Sequence, residues 1–172
     1  EINGSPFVTG VGPFSVAISP TGASAFVVNE GGGNISGYQI QSDGGLRAIA
    51  GSPSAAGNDP VDVAVHPSGQ FAYVANQVSG DVSAFRIGED GSLSAIPGSP
   101  FKAGAESVCV AVEPAGKFLY VSSKFSHSIW AFRIGNDGAL TSIEGSPFAA
   151  GRGPNSIAFS LVPETSDKTP AQ

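Results

Sequence analysis

Cysteine is all but missing from this 172-residue chain: Cys109 stands alone, so an intrachain disulfide is excluded. No Cys/His cluster with zinc-ligand spacing occurs, and no metal site is predicted. Methionine is absent and tryptophan occurs once, as Trp130. No segment approaches the roughly 18 consecutive apolar residues of a spanning helix, so no membrane span is predicted. Amphipathic helices are missing too, because no long apolar run recurs at 3.6 spacing, and 24 glycines with 13 prolines would break one. Positive charge is scarce. Eight Lys and Arg against 14 Asp and Glu leave a formal net charge of −6, with no basic footprint for nucleic acid or an anionic lipid surface. Neither a phosphate-cradling glycine loop opening a helix nor a Gly-x-Ser-x-Gly elbow is present, and no cofactor is expected. Little Lys and Arg beside abundant Ser, Gly, Ala and Thr leans toward an extracytoplasmic protein.

What the chain does have is a recurring phrase: GSPFVTG from Gly4, GSPSAAG from Gly51, GSPFKAG from Gly98 and GSPFAAG from Gly145, 47 residues apart each time. Laid in register without a gap, residues 4–50, 51–97 and 98–144 are identical in fourteen columns, among them Val16/Val63/Val110 and Ala17/Ala64/Ala111. Each repeat reads as four short strands. In the second these are VDVAVH (61–66), FAYVAN (71–76), a run over 81–87 and LSAI (93–96). PTG, PSG and PAG make the first turn, proline presetting φ and glycine accepting the positive φ that closes it. Asp-Gly pairs at 43–44, 90–91 and 137–138 signal hairpins, which explains them without calcium.

Four antiparallel strands repeated at a period in the forties are the signature of propeller blades. A β-sandwich does not account for constant spacing free of insertions. The predicted fold is therefore all-β: propeller blades of four antiparallel strands, three complete, with partial strands at each end. Residues 1–3 are read as the end of a preceding outer strand, 4–50, 51–97 and 98–144 as blades, 145–160 as the inner strand of a fourth, and 161–172 as a disordered polar tail. GSP is expected where an outermost strand ends and the chain turns inward, the proline withholding an N–H from the ladder. The invariant alanine of the first strand lets neighbouring blades approach closely.

AFVVN (25–29), AYVAN (72–76) and LYVSS (119–123), each after a turn with proline and glycine and each followed by a further strand and GSP, resemble the YVTN-repeat, lactonase-type seven-bladed propellers. The resemblance covers residues 1–160. It implies a seven-bladed ring and, among relatives similar to 6-phosphogluconolactonase and carboxymuconate lactonising enzyme, chemistry on a small lactone; other members are surface or secreted repeat proteins. None of the family's catalytic residues is carried over to positions here. Three blades and two stubs do not close a ring, and open blades expose apolar faces and unpaired edges. The partner is expected to be another copy of the chain or the missing half of a propeller; a start inside a strand without an initiating Met favours a fragment.

A propeller gathers its variable loops at one mouth of the channel. The links between blades place Asp59 and Glu106 at equivalent points, with Arg152 and Asn155 following on the next link. The turns between second and third strands add Lys124 and His127. A lactonase or lactonising enzyme needs a group that moves a proton and a cation that holds a carboxylate or oxyanion. Glu106 or His127 suits the first role, and Arg152 or Lys124 the second. Glu106, Arg152 and His127 are thus the expected catalytic set, and Asp59, Lys124 and Asn155 the expected contacts to a small anionic ligand. Charges on a solvated rim are also ordinary, so a non-catalytic scaffold or binding propeller stays open. Cys109 is expected to be a small buried residue, His66 a turn cap, and Trp130 a filler between blades.

Overall fold

The computed structural model describes Ile2 and residues 4–160; the expected polar tail, 161–172, lies outside the described residues. Three antiparallel sheets succeed one another along the chain. The first holds β1 (Pro13–Ile18), β2 (Ser24–Asn29), β3 (Asn34–Ile40), β4 (Leu46–Ala48) and β5 (Ser54–Ala55). The second repeats it with β6 (Pro60–Val65), β7 (Phe71–Asn76), β8 (Asp81–Ile87), β9 (Leu93–Ala95) and β10 (Phe101–Lys102). The third holds β11 (Ser107–Val112), β12 (Phe118–Ser123), β13 (Ser128–Ile134), β14 (Leu140–Ser142) and β15 (Phe148–Ala149). These are propeller blades, each of the four expected strands plus a two-residue fifth. A single 3-10 turn at Glu30–Gly32 is the one helical element among the described residues.

The fifth strand changes the meaning of the GSP phrase. The chain does not turn inward there. In the first blade β4 pairs with the far end of β3 (Tyr38 to Ile40), and after the Gly51-Ser52-Pro53 turn β5 pairs with its near end (Asn34, Ile35). Between them the Gly37 N–H has no strand partner, and Ser52 Oγ accepts it at 2.8 Å. Ser99 does the same for the Ala84 N–H at 2.9 Å, and Ser146 for that of Ala131 at 3.0 Å. The serine patches the gap in an interrupted ladder, where an unpaired amide is costly. In consequence the sheets are offset from the repeats counted at Gly4: residues 54–55, 101–102 and 148–149 close the blade before them.

Blades adhere through apolar side chains. Phe26 and Val28 of the first pack against Val63 and Val65 of the second, with Ala17 beneath. Tyr73 of the second likewise meets Val110 and Val112 of the third over Ala64, with Trp130 at the edge of the same cluster. Each buried residue of this size contributes roughly 1.5–3 kcal/mol. The Asp-Gly hairpins dock on the blade before: Gly138 lies against Phe71 and Ile96, and its carbonyl accepts the Tyr73 hydroxyl at 3.0 Å. Below, His66 caps its turn by accepting the Ser68 N–H at 3.0 Å, and its Nε2 reaches the Gly116 carbonyl at 2.8 Å.

The ends break the pattern. Phe14, Val16 and Ile18 of β1 are 62%, 59% and 52% exposed, whereas Val63 and Val110, in the column of Val16, are 6% and 4% exposed. Ile2 sits against Gly44 just as Ile49 sits against Gly91. At the other end residues 155–160 form no ladder, for no second strand lies beside them among the described residues. They still occupy an inner-strand position, with the Phe159 ring 5.8 Å from that of Tyr120.

Candidate functional site

The inner strand β6 lies between β1 and β11, so the outward columns of these strands share one wall. That wall bounds a cavity of about 440 Å³ lined by Phe14, Ser15, Val61, Asp62, Val108, Cys109, Asn155 and Ser156, with Gln77 and Lys124 from the turns at its rim. Asp62 ties three blades together here. Its Oδ1 accepts Ser15 Oγ from the first blade and its Oδ2 accepts the Val110 N–H from the third, both at 3.0 Å. Sequence reasoning missed Asp62 as a site residue; the signal available was its column, Ser15/Asp62/Cys109/Ser156, polar among apolar neighbours.

Cys109 is half-buried on this wall rather than enclosed as expected. Burial, reinforced by the nearby Asp62 charge, pushes the thiol up to about 11, against a weaker opposing pull from the Ile157 backbone. The protonated form prevails, and it is the thiolate that reacts. Cys109 is therefore expected to react with a disulfide reagent at pH 8 roughly 100-fold more slowly than a free thiol. Parity with a free thiol in a colorimetric thiol assay would contradict this environment.

Of the other expected residues, Lys124 and Asn155 line the cavity together. Glu106 lies over a second hollow of about 490 Å³, between blades two and three, beside Lys102 and Phe125. Backbone bonds tie these loops: Lys124 N–H donates to the Glu106 carbonyl and Gln77 N–H to that of Asp59, both at 2.8 Å. His127 Nδ1 accepts the Gly153 N–H at 3.1 Å, which sets His127 beside the exposed Arg152 link. Two sets thus form, Lys124 with Asn155 on the first cavity and His127 with the Arg152 link beside it, while Glu106 lines the inter-blade hollow.

Residues 9–161 match the family model described as lactonase, seven-bladed β-propeller. The chain belongs to that family. Among solved structures, this lactonase-family chain is similar to a candidate 6-phosphogluconolactonase from Bacteroides fragilis, at 23% identity and a TM-score of 0.77 over 86% of this chain and 42% of that one. It is also similar to the periplasmic gluconolactonase of Pseudomonas aeruginosa, at 21% identity and a TM-score of 0.76 over 87% of this chain and 44% of that one. The WD40 repeats of RRP9 share the fold at 10% identity and a TM-score of 0.63, covering 86% of this chain and 41% of theirs. No curated protein matches. The chain spans less than half the length of these structural neighbours.

Within this lactonase-family arc the rim loops hold two features that the sequence conceals. Asp59, Glu106 and His127 adopt φ of 51°, 53° and 50°, in columns where sister repeats carry Gly12, Gly153, Gly33 or Gly80. A left-handed backbone at a residue with a side chain is strained. Glu106→Gly is accordingly expected to raise stability by about 1 kcal/mol in urea unfolding. A loss instead would mean that the Glu106 side chain holds the loop. The second feature is the last residue of AFVVN and AYVAN: Asn29 and Asn76 are wholly buried and clamp the incoming link, each accepting a link amide (Gly10 and Gly57 N–H) at 3.1 Å. The third blade has Ser123 there instead, bonded to the Ala103 carbonyl, and its Trp130 Nε1 and Glu106 Oε2 are buried with no hydrogen-bond partner among the described residues.

Proposed function

We propose that the assembled ring binds a small anionic lactone, or the hydroxy acid formed from it, at the channel mouth and interconverts the two. The observation that carries this reading is the cavity wall on which Lys124, Asn155, Gln77 and the hydroxyls of Ser15 and Ser156 converge, in a chain of the lactonase family. Lys124 supplies a point charge for a carboxylate or phosphate, and the amides and hydroxyls fit ring oxygens. In hydrolysis, water adds to the acyl carbon as a base takes its proton. The ring C–O bond then breaks, and the departing alkoxide takes a proton back. His127 beside the Arg152 link, or Glu106 from the adjoining inter-blade hollow, is assigned the proton transfers, and Arg152 the developing oxyanion.

The test is turnover of small sugar lactones by a ring-length protein carrying this segment, followed by acid release at constant pH. Glu106→Gln and Arg152→Ala are each expected to lower kcat/KM by about 100-fold. Turnover untouched by both variants would refute the assignment. Binding without turnover is the second reading. It is favoured by Asp62, whose two oxygens are both engaged in holding strands and so are not free to act on a substrate.

A further inference from the structure

The two hollows of the rim meet at one residue. Gln77 lines both the first cavity and the hollow of about 490 Å³ between blades two and three, and the Lys124 N–H bond to the Glu106 carbonyl ties their walls nearby. Every residue lining the second hollow belongs to blades two and three or to the link between them, so its shape does not depend on the rest of the ring.

Its lining does not suit a sugar acid. Val78, in the turn after β7, and Phe125, in the same column after β12, are 65% and 66% exposed, where the first blade has Gly31. Two large apolar side chains on one hollow favour an apolar group that leaves water there. Lys102 and Glu106 stand at the same hollow, so a net ion of either sign meets one like charge. A neutral group that both donates and accepts, such as an amide, meets neither objection. Glu106 Oε2, buried with no hydrogen-bond partner among the described residues, is the acceptor such a group lacks in this structure, and a carboxylate turns on a soft terminal torsion. Lys102 and Gln77 are the donors. Glu106 also holds a φ of 53° where Gly12 and Gly153 stand in its column, and strain of that kind gathers at residues that clamp ligands.

We propose that this hollow takes the acylamino substituent of a lactone whose ring sits in the first cavity. The amide N–H donates to Glu106 Oε2, the amide carbonyl accepts from Lys102 or Gln77, and the acyl tail lies between Val78 and Phe125. For the ring the inference rests on the lactone reading; for the substituent it rests on the hollow itself. A lactone of this class is neutral until it opens, and hydrolysis then makes the carboxylate that Lys124 holds. The amide bond takes no part in the reaction. Its pairing uses Oε2 and does not displace the proton transfers assigned above.

Calorimetric titration of a ring-length protein carrying this segment tests it with N-cyclopentylhexanamide and N-cyclopentylacetamide, which keep a ring and the amide but have no ester. The hexanamide is expected to bind about 30-fold more tightly, its extra methylenes being partly removed from water. In Phe125→Ala and in Val78→Asp that preference is expected to fall below about threefold. Both side chains are exposed, so neither change disturbs the core. Equal binding of the two amides, or a preference that survives both substitutions, overturns the inference. Turnover then separates the two readings. The γ-butyrolactone with a hexanoylamino group beside its carbonyl is expected to show a kcat/KM about 30-fold above that of its acetylamino counterpart, and equal, measurable turnover of the two overturns the inference as well. Turnover of sugar lactones without any amide preference refutes the substituent pocket and spares the lactone chemistry. The amide preference without turnover of any lactone supports the pocket and refutes the lactone chemistry.

Discussion

Gly138→Ala is expected to lower the unfolding free energy by about 3 kcal/mol, while Gly51→Ala lowers it by about 1 kcal/mol. The two glycines have nearly the same backbone, with φ of +86° and +79°. They differ in surroundings. A Cβ on Gly51 meets nothing within 4 Å, so only left-handed strain is added. On Gly138 it falls 2.5 Å from Phe71 Cδ1 and 2.6 Å from Ile96 Cδ1, both buried in the preceding blade. The hairpin must then lift, and lifting pulls the Gly138 carbonyl from the Tyr73 hydroxyl. Burial, helped by the Asp137 charge, raises the Tyr73 phenol well above its ordinary range, so this donor keeps its proton through neutral pH. Urea unfolding followed by Trp130 fluorescence measures both variants. Equal losses would show that the hairpin yields without cost and that its docking does not join the blades.

Asn76→Ala is expected to cost about 3 kcal/mol, and Ser123→Ala in the equivalent position of the third blade about 1 kcal/mol. Asn76 is enclosed and uses both ends of its amide: Nδ2 donates to Asp81 Oδ1 at 2.7 Å and Ser83 Oγ at 2.9 Å, and Oδ1 accepts the Gly57 N–H at 3.1 Å. Alanine strands the Gly57 amide in a space too small to hydrate well, and leaves a void. Ser123 makes one bond to a carbonyl, and its loss removes less. The same unfolding assay ranks the pair, and a Ser123→Ala loss matching that of Asn76→Ala would contradict the clamp.

The blades were legible because their pattern is the repeat itself: Val63 inward, Ala64 at the neighbour, proline and glycine in the turn, Asp-Gly at the hairpin. The fifth strand was not, since two residues such as Ser54–Ala55 carry no periodicity, and GSP advertises only a turn. Counting columns brought Lys124 and Asn155 to one face of the blades, and the two line the same cavity. Glu106 lines the inter-blade hollow instead, a distinction loop columns do not carry because they fix backbone positions and not side-chain surroundings. The left-handed sites were hidden by their own residues: a glycine announces such a backbone, while Asp59, Glu106 and His127 look like solvated charges. Asp62 escaped because it is a single deviation in a column of small residues, and only the third dimension shows that Ser15 and Val110 converge on it.

The short strand β5 leaves a mechanical mark on the molecule. Its two residues lie on the link that leads into β6, yet they hydrogen-bond to β3, and the Ala56 N–H adds a further bond to the Gly33 carbonyl. Every blade is thus sewn to its successor by backbone as well as by oil-like contact. Pulling on one end should not peel blades singly; tearing β6 free drags the edge off the sheet before it, so force or denaturant ought to open neighbouring blades as a coupled pair.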